Sequence, residues 1–378
     1  LRGLAILLVL GAHSPFMPAP GELGHAVCMQ WQRAGWMGVD LFFALSGFLI
    51  TGLFLRERQT TGRVDPKAFL LRRFFKIYPP ALLYVLAFGL WLFFTQSGNR
   101  AARVLSVAEI LWPVLIHGQN YLPIPAAEHL WSLAVEEHFY VLMLVAFLSQ
   151  ARISNENLPR RLMITLTVLV LASWCARLAH VIYVYSGTGP IGLAFTHNRI
   201  DALAAGTLAA CLVHCHRQRL QSLRSVTLLL PVVAILTVAP SFLWDITSHR
   251  VFFLLAVLPV QAIGLACLVV WVWLAAQSTA TATPPSRVLA FVGRSSYSTY
   301  LWHLPFAPAI VRGLQRLGIA STLPEKSLVL FLVYCGVALT LGAVGYFAVE
   351  CPALWIRKKW CDGQRASETP AARLKAAA

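Results

Sequence analysis

The chain has 378 residues, of which 58% are hydrophobic and only 12% are charged, and its mean hydropathy is +0.67. A soluble domain carries roughly 25% charged residues, so this composition excludes a soluble globular protein and predicts an integral membrane protein. The formal net charge of +16 does not indicate nucleic-acid binding, because the basic residues are divided among short segments rather than gathered on one face.

Apolar runs near the length needed to cross a bilayer recur along the whole chain, and no polar stretch is long enough for a separate soluble domain. The sequence therefore predicts an all-α, polytopic membrane protein with about ten transmembrane helices. The predicted spans are 3–17, 36–55, 78–95, 129–149, 163–185, 199–214, 226–242, 251–275, 292–311 and 326–348. Residues 101–128 contain an apolar run too short to cross, which we expect at the outer interface or dipping into the membrane.

The distribution of Lys and Arg predicts the orientation, because cytoplasmic loops retain these residues. With the N-terminus inside, more than two thirds of the 31 Lys and Arg residues fall on the cytoplasmic side. Both termini are therefore predicted to be cytoplasmic. We expect residues 1–355 to form the transmembrane domain and residues 356–378 to form a basic, disordered cytoplasmic tail.

The first predicted span places Arg2 and His13 on one helical face, because eleven residues come to about three full turns. The two side chains are about 16 Å apart along the helix, so a cation lies near the membrane surface and an imidazole lies within the bilayer. Ionisable groups inside a membrane usually face a polar interior, which makes the pair a candidate functional site. Alternatively, Arg2 snorkels to the interface and His13 simply finds a hydrogen-bond partner.

Later spans carry acids and a second imidazole to a similar depth. Asp40 lies about 6 Å and Glu136 and Glu137 about 10–12 Å into their spans from the outer side, and His303 reaches the middle of the membrane from the inner side. We predict that His13 is a general base and that Asp40, Glu136 or Glu137 orients its ring. The alternative is a set of charge pairs that hold helices together.

Three cations, Arg72, Arg73 and Lys76, precede the third span at the inner face, where Arg2 also lies. Clustered cations at a membrane surface can hold phosphate groups, and Arg does so with bidentate geometry. The positive-inside rule by itself accounts for the same residues equally well.

A tight group of metal-ligand residue types, Cys211, His214, Cys215 and His216, lies where the sixth predicted span leaves the membrane. No second group of this kind completes a closed site, so we predict no metal. The sequence also lacks a glycine-rich phosphate loop.

Seven motifs follow one another between residues 2 and 353. They are Arg2 with His13, and the segments 38–51, 73–79, 131–140, 198–201 leading to Gly206, 293–303 and 349–352. In this order they resemble the acyltransferase-3 family of membrane O-acyltransferases. A single motif is weak evidence, but seven in sequence are strong.

The resemblance implies a ten-helix membrane domain that moves an acyl group, often acetyl, from acyl-coenzyme A on the cytoplasmic side to a hydroxyl. Acyl-coenzyme A is then a donor substrate, and no cofactor is bound permanently. Family acceptors include polysaccharides, lipopolysaccharide, peptidoglycan sugars and small molecules such as macrolides. For the donor, the resemblance and the inner-face cations together assign Arg2, Arg72, Arg73, Lys76 and Tyr78. Lys76 replaces the more usual Arg, which retains the charge but loses the bidentate fork.

For the acceptor we assign five residues in the matching motifs, Trp131, Ser132, Arg199, Tyr297 and His303. Many relatives carry a fused extracytoplasmic hydrolase-like domain. Because the sequence ends about 30 residues after the last predicted span, we expect no such domain, so that the chain acylates its acceptor directly or passes the group to a separate partner protein.

The sequence thus predicts an acyl-coenzyme A-dependent O-acyltransferase of the cell (inner) membrane that modifies a carbohydrate or another hydroxyl acceptor. Direct transfer and a route through an acyl-histidine both stay open. The alternatives are a transporter or flippase of a glycolipid or acyl carrier, since intramembrane acids and histidines also mark transport pathways, and a structural partner in polysaccharide assembly.

Overall fold

The computed structural model describes residues 1–95, 107–109, 112–122, 124, 127–150, 153–154, 156–183, 192, 194–222, 224–246, 248–278, 284–318 and 327–367. All regular secondary structure in these ranges is helical, as predicted. The helices are α1 Arg2–His13, α2 His25–Ala34, α3 Met37–Thr61, α4 Pro66–Thr95, α5 Trp131–Ser149, α6 Leu158–Tyr183, α7 Thr196–Ser222, α8 Arg224–Val238, α9 Leu258–Ser278, α10 Pro284–Arg294, α11 Ser296–Trp302, α12 Phe306–Arg316, α13 Leu328–Gly345 and α14 Cys351–Ser367. Short helical segments at Glu128–Leu130, Pro240–Leu243, Arg250–Phe252, Phe253–Val257 and Tyr346–Glu350 complete them.

Six helical stretches in the described ranges are long and apolar enough to cross a membrane, which makes this a multi-pass membrane protein. They are Met37–Thr61, Pro66–Thr95, Glu128–Ser149, Leu158–Ile182, Arg250–Gln277 and Leu328–Trp360. Two further apolar helices, Arg2–His13 and Leu228–Leu243, are shorter. The predicted span 292–311 is divided, because α11 ends at Trp302 and α12 begins at Phe306. The prediction of ten spans is therefore not confirmed, and the orientation stays a prediction.

Helices α1 and α11 run side by side in the same direction. Gly293, just before α11, lies against Gly3, and the ring of His303, just after α11, contacts His13. These contacts define two ends of the bundle, which we call the Arg2 end and the His13 end. The two ends are the reference for every site described below.

Helix α5 runs in the opposite direction to α1. It begins beside the His13 end, where the ring centroids of His129 and His303 are 5.1 Å apart. It stops just before Gln150, whose carbonyl accepts a hydrogen bond from Arg58 near the end of α3. The acids of α5 therefore lie between the two ends, as their depth in the sequence predicted.

Helices α3 and α7 form the most extensive helix pair, and two glycines bring their backbones together. A Cβ atom on Gly47 would lie 2.0 Å from the carbonyl oxygen of Leu203, and one on Gly206 would lie 2.0 Å from that of Ala44. Small residues permit such close approach in membrane helices. This pair forms the rigid side of the bundle against which α1 and α5 are placed.

Helix α14 covers part of the segment 356–378 that was predicted to be a disordered tail. The helix continues to Ser367, and the ring of Trp360 lies 6.0 Å from that of Phe75 in α4. Packing of an aromatic residue against α4 explains helical order where composition alone predicted none. Residues 368–378 lie outside the described residues, and the division into domains stays a prediction.

Candidate active site

A cavity of about 70 Å³ lies between the Arg2 end and the middle of the bundle, among α1, α3, α4, α5 and α11. It brings together three cations and two carboxylates that the sequence placed on separate helices. Its lining residues are Arg2, Val39, Phe42, Phe43, Ser46, Arg73, Lys76, Ile77, Ser132, Leu133, Glu136, Glu137, Tyr140, Ser296, Tyr297 and Tyr300. The cavity is therefore the first candidate for the reaction chamber.

Glu136 is held on one wall of this cavity by two hydroxyl groups. Ser46 of α3 and Tyr140, one turn further along α5, both donate hydrogen bonds to Oε1 of Glu136. Two donors on one carboxylate oxygen fix its position. Glu136 thus has partners of its own, and none of its hydrogen bonds within the described residues is to an imidazole.

Arg73 provides a positive charge at the same wall. Its guanidinium lies 4.4 Å from the ring centroid of Tyr140 and 5.7 Å from that of Phe69. Among the described residues it forms no ion pair within 4.0 Å. A guanidinium stacked on aromatic faces keeps its hydrogen-bond donors available for an anion.

Lys76 is less available than the sequence suggested. Its ammonium group pairs with Oε1 of Glu350, a wholly buried carboxylate, and Oε2 of Glu350 accepts a 3.0 Å hydrogen bond from Ser298. Glu350 was quoted within a motif, but no role was predicted for it. A lysine that already neutralises a buried acid offers little net charge to a phosphate.

A second, larger cleft of about 660 Å³ adjoins the cavity at the Arg2 end. Arg2 and Lys76 line both spaces, so they stand at the boundary between them. Arg294 adds a third cation to the cleft, whose other walls are mostly apolar. This combination suits a ligand with both anionic and apolar parts.

Two residues predicted for the donor site, Arg72 and Tyr78, do not line either space. Arg72 forms an ion pair of 3.0 Å with Glu57, and the hydroxyl of Tyr78 lies 2.9 Å from Nε2 of His117. Consecutive helical residues point about 100° apart, so Arg72 cannot share the direction of Arg73. The structure does not bring Arg72 and Tyr78 to the cavity or the cleft, and their role in donor binding stays a prediction.

His13 ends α1 and contacts a second histidine rather than a carboxylate. Its Nδ1 atom lies 3.1 Å from the carbonyl oxygen of Val9 and 3.2 Å from Nε2 of His303, and the two rings are 5.0 Å apart. No carboxylate among the described residues hydrogen-bonds to this ring. The structure thus does not bring Asp40, Glu136 or Glu137 to the ring of His13, as the sequence had predicted for one of them.

The surroundings of His303 fix the tautomers of both rings. Nδ1 of His303 lies 2.6 Å from the carbonyl oxygen of Tyr300, which only accepts, so this nitrogen carries the proton. In a neutral His303, Nε2 is then an acceptor, and Nδ1 of His13 must be the donor. Two touching imidazoles disfavour a second charge, which supports the neutral form. The Nε2 lone pair of His13 is left for chemistry.

His129 is the third member of this histidine cluster, and no role was predicted for it. Its ring centroid lies 5.1 Å from that of His303, and its backbone carbonyl accepts a 2.5 Å hydrogen bond from the hydroxyl of Tyr300. The same hydroxyl lies 2.6 Å from Oγ of Ser132. Because Tyr300 and Ser132 also line the cavity, they form the wall between it and the three histidines.

Asp40, Arg199 and Trp131 belong to a buried network away from the cavity. Asp40 forms an ion pair with Arg199 and accepts a 3.0 Å hydrogen bond from Gln261. The Arg199 guanidinium lies 5.3 Å from the ring centroid of Trp131. None of the three lines the cavity, so the predicted catalytic role of Asp40 and the acceptor roles of Arg199 and Trp131 have no geometric support. A buried pair of this kind holds helices in place.

A comparison with known families identifies the family to which this chain belongs. A family model described as an acyltransferase domain matches residues 1–347. The chain belongs to this acyltransferase-3 family. The match confirms the resemblance carried by the seven motifs, while no solved structure matches the chain.

Two curated relatives of this acyltransferase-3 chain are O-acetyltransferases. The peptidoglycan O-acetyltransferase OatA of Listeria monocytogenes is 27% identical over 326 residues, covering 81% of this chain and 48% of the relative. The O-acetyltransferase OatA of Staphylococcus aureus is 26% identical over 298 residues, covering 73% and 46%. The chain spans about half the length of the curated relatives it matches. The comparisons support a membrane transferase and give no support to a transporter.

Proposed function

We propose that this chain is an O-acyltransferase of the cell membrane that moves an acyl group, acetyl by preference, from acyl-coenzyme A to a hydroxyl of a carbohydrate acceptor. One observation carries the proposal: a cavity bordered by cations at the Arg2 end shares its Tyr300 and Ser132 wall with the histidine cluster. The names of the two relatives, both O-acetyltransferases, support acetyl as the group transferred.

The donor enters from the Arg2 end, which the distribution of Lys and Arg predicts to be cytoplasmic. A nucleotide needs a pocket of several hundred cubic ångströms, so the cleft of about 660 Å³ can hold it and the cavity of about 70 Å³ cannot. Arg2 and Arg294 would hold its phosphates in the cleft. Arg73 lies further in, beside the path of the thioester arm.

The acceptor approaches the histidine cluster from the His13 end. Nε2 of His13 takes the proton of the acceptor hydroxyl, and the hydroxyl oxygen attacks the thioester carbonyl carbon. The carbon–sulfur bond breaks, the coenzyme A thiolate leaves, and it receives the proton from His13. His303 takes the orienting role that the sequence had assigned to a carboxylate.

A route through an acyl-histidine uses the same lone pair as a nucleophile. Brief exposure of the protein to radiolabelled acetyl-coenzyme A without acceptor distinguishes the two routes. Label retained on His13 after denaturation identifies the acyl-enzyme, and its absence favours direct transfer.

Purified protein in lipid vesicles, supplied with acetyl-coenzyme A and envelope glycan, tests the proposed activity. We expect free coenzyme A and O-acetylated glycan from the wild type, and a loss of about 10²-fold or more for His13→Ala, because general base catalysis contributes about that much. His249→Ala, which removes a histidine from a loop remote from the cluster, is the matched control. Full turnover by His13→Ala would contradict the mechanism.

A further inference from the structure

An aromatic patch at the His13 end is used by no step described so far. Tyr121, Phe195 and His197 form it, with ring centroids 5.2 to 6.0 Å apart and planes inclined by 14°, 23° and 35° to one another. The hydroxyl of Tyr121 lies 3.1 Å from Nδ1 of His197. Tyr121 is 44% exposed and His197 is also exposed, so two of the three rings are accessible from outside the protein.

Neutral polar groups border this patch. The amide nitrogen of Asn120 donates to Thr196, 2.8 Å away, and Nδ1 of His138 lies 2.7 Å from the same hydroxyl. Asn120 is only 3% exposed, yet its amide oxygen has no hydrogen-bond partner among the described residues, and the amide oxygen of Gln119 is in the same position. Buried acceptors without a partner are costly, and a bound donor would satisfy them.

The patch lies close to the reaction chamber. Nε2 of His117, in the same segment as Tyr121, lies 2.9 Å from the hydroxyl of Tyr78. Tyr78 follows Ile77 in the chain, and His138 follows Glu137; Ile77 and Glu137 both line the cavity. The segment that carries the patch is therefore in contact with α4, one of the helices that line the cavity.

We propose that the patch of Tyr121, Phe195 and His197 binds a sugar ring of the acceptor. A sugar has one face of C–H groups, which packs on aromatic rings, and a rim of hydroxyl groups, which donate to amide oxygens such as that of Asn120. Within the part of the chain that the structure describes, none of the residues named here as forming or bordering the patch is Asp, Glu, Lys or Arg, which fits a neutral polyol. The inference rests on the proposed function, because only a carbohydrate acceptor gives the patch its ligand.

The competing explanation is that Tyr121 merely anchors the protein at the membrane interface, as Tyr and Trp commonly do. Trp244 provides the matched control, because it is a 41% exposed aromatic residue of another loop. Two quantities are compared for Tyr121→Ala, Tyr121→Phe and Trp244→Ala. They are the O-acetyl groups released by mild alkali from the total envelope glycan of producing cells, and the affinity of the purified protein for acetyl-coenzyme A by equilibrium dialysis.

We expect Tyr121→Ala to lower glycan acetylation about fivefold to tenfold, in line with the loss of one aromatic stacking contact, with unchanged donor affinity. Tyr121→Phe, which keeps the ring, should lose less, and Trp244→Ala should resemble the wild type. Equal losses in Tyr121→Ala and Trp244→Ala, or none in Tyr121→Ala, would overturn the proposal. If Tyr121→Ala also lost affinity for acetyl-coenzyme A, the test would pass to His197→Ala. That variant must then lower glycan acetylation with unchanged affinity for acetyl-coenzyme A.

The outcome also separates this inference from the proposed function. A wild-type protein that releases coenzyme A while the glycan of producing cells gains no O-acetyl groups retains its transferase activity but overturns the sugar site. A wild-type protein that releases no coenzyme A with any acceptor contradicts the proposed function itself.

Discussion

Two backbone carbonyls place the proton of His13 on Nδ1. The carbonyl of Val9 contacts that nitrogen directly, and the carbonyl of Tyr300 acts through His303, whose Nε2 is left as an acceptor. A catalytic base is usually oriented by a carboxylate, which also stabilises its protonated form. Here a neutral imidazole gives orientation without that charge.

We expect His303→Ala to lower kcat about 10²-fold while the KM for acetyl-coenzyme A stays near the wild-type value, because the base loses its orientation and the donor keeps its contacts. Steady-state kinetics on purified protein measure the two constants. His303→Asn should retain more activity, since its amide oxygen can accept from Nδ1 of His13. A rise in KM with unchanged kcat would assign His303 to substrate binding instead.

Arg72 and Arg73 form a natural pair of variant and control. Arg73 lines the cavity and has no ion-pair partner among the described residues, whereas Arg72 is bound to Glu57. We expect Arg73→Ala to raise the KM for acetyl-coenzyme A about tenfold or more, the value of a charged hydrogen bond, and Arg72→Ala to leave it within about twofold. Equal effects of both substitutions would point to the summed surface charge instead.

At the scale of helices, α3 offers two glycines with opposite surroundings. A Cβ atom on Gly47 would collide with the carbonyl oxygen of Leu203, whereas one on Gly52 would have nothing within 4 Å. The first glycine is required by packing, and the second is not.

We expect Gly47→Ala to reduce the free energy of unfolding by about 1–3 kcal/mol or more, because α7 must move away. Gly52→Ala should be neutral or stabilise the helix by up to about 1 kcal/mol, since alanine is the better helix former. Denaturant titration of the purified protein in detergent measures both. Equal destabilisation by the two variants would show that the close approach of α3 and α7 is not the cause.

Helix depth could be predicted from the sequence, but the direction in which each side chain points could not. Depth placed Glu136 and Glu137 within the bundle, because rise per residue is constant, but it grouped them with His13 and not with Arg73, beside which they line the cavity. Asp40 and Arg199 lie at suitable depths too, yet they face each other in a separate network. Facing direction depends on how each helix is rotated against its neighbours, and nearly uniform hydrophobicity around a membrane helix hides that rotation.

The histidine cluster illustrates a second limit. His303 stood in a quoted motif and His129 lay two residues before another, but their contact joins residues far apart in the chain. The shared wall of Tyr300 and Ser132 arises in the same way. Such contacts depend on the tertiary arrangement of α5 and α11, which no local pattern encodes.

For the molecule as a whole, the two ends of the bundle make the orientation testable. Arg63, in the turn after α3, lies at the Arg2 end, and Ser248 lies in a loop at the His13 end; both are exposed. If both termini are cytoplasmic, a membrane-impermeant maleimide applied to intact cells should label Ser248→Cys. Arg63→Cys should react only after the membrane is opened. Labelling is compared with that of the unsubstituted chain, whose own cysteines give the background, and the reverse pattern would contradict the orientation.

Glu350 lies three residues beyond the segment that the family model matches, yet it neutralises the lysine at the mouth of the chamber. The boundary drawn by sequence similarity is therefore not the boundary of the working unit. A chimaera that joined residues 1–347 to an unrelated C-terminal segment would keep every matched motif up to that point and lose this acid. When parts are exchanged within the family, Lys76 and Glu350 should therefore come from the same parent chain.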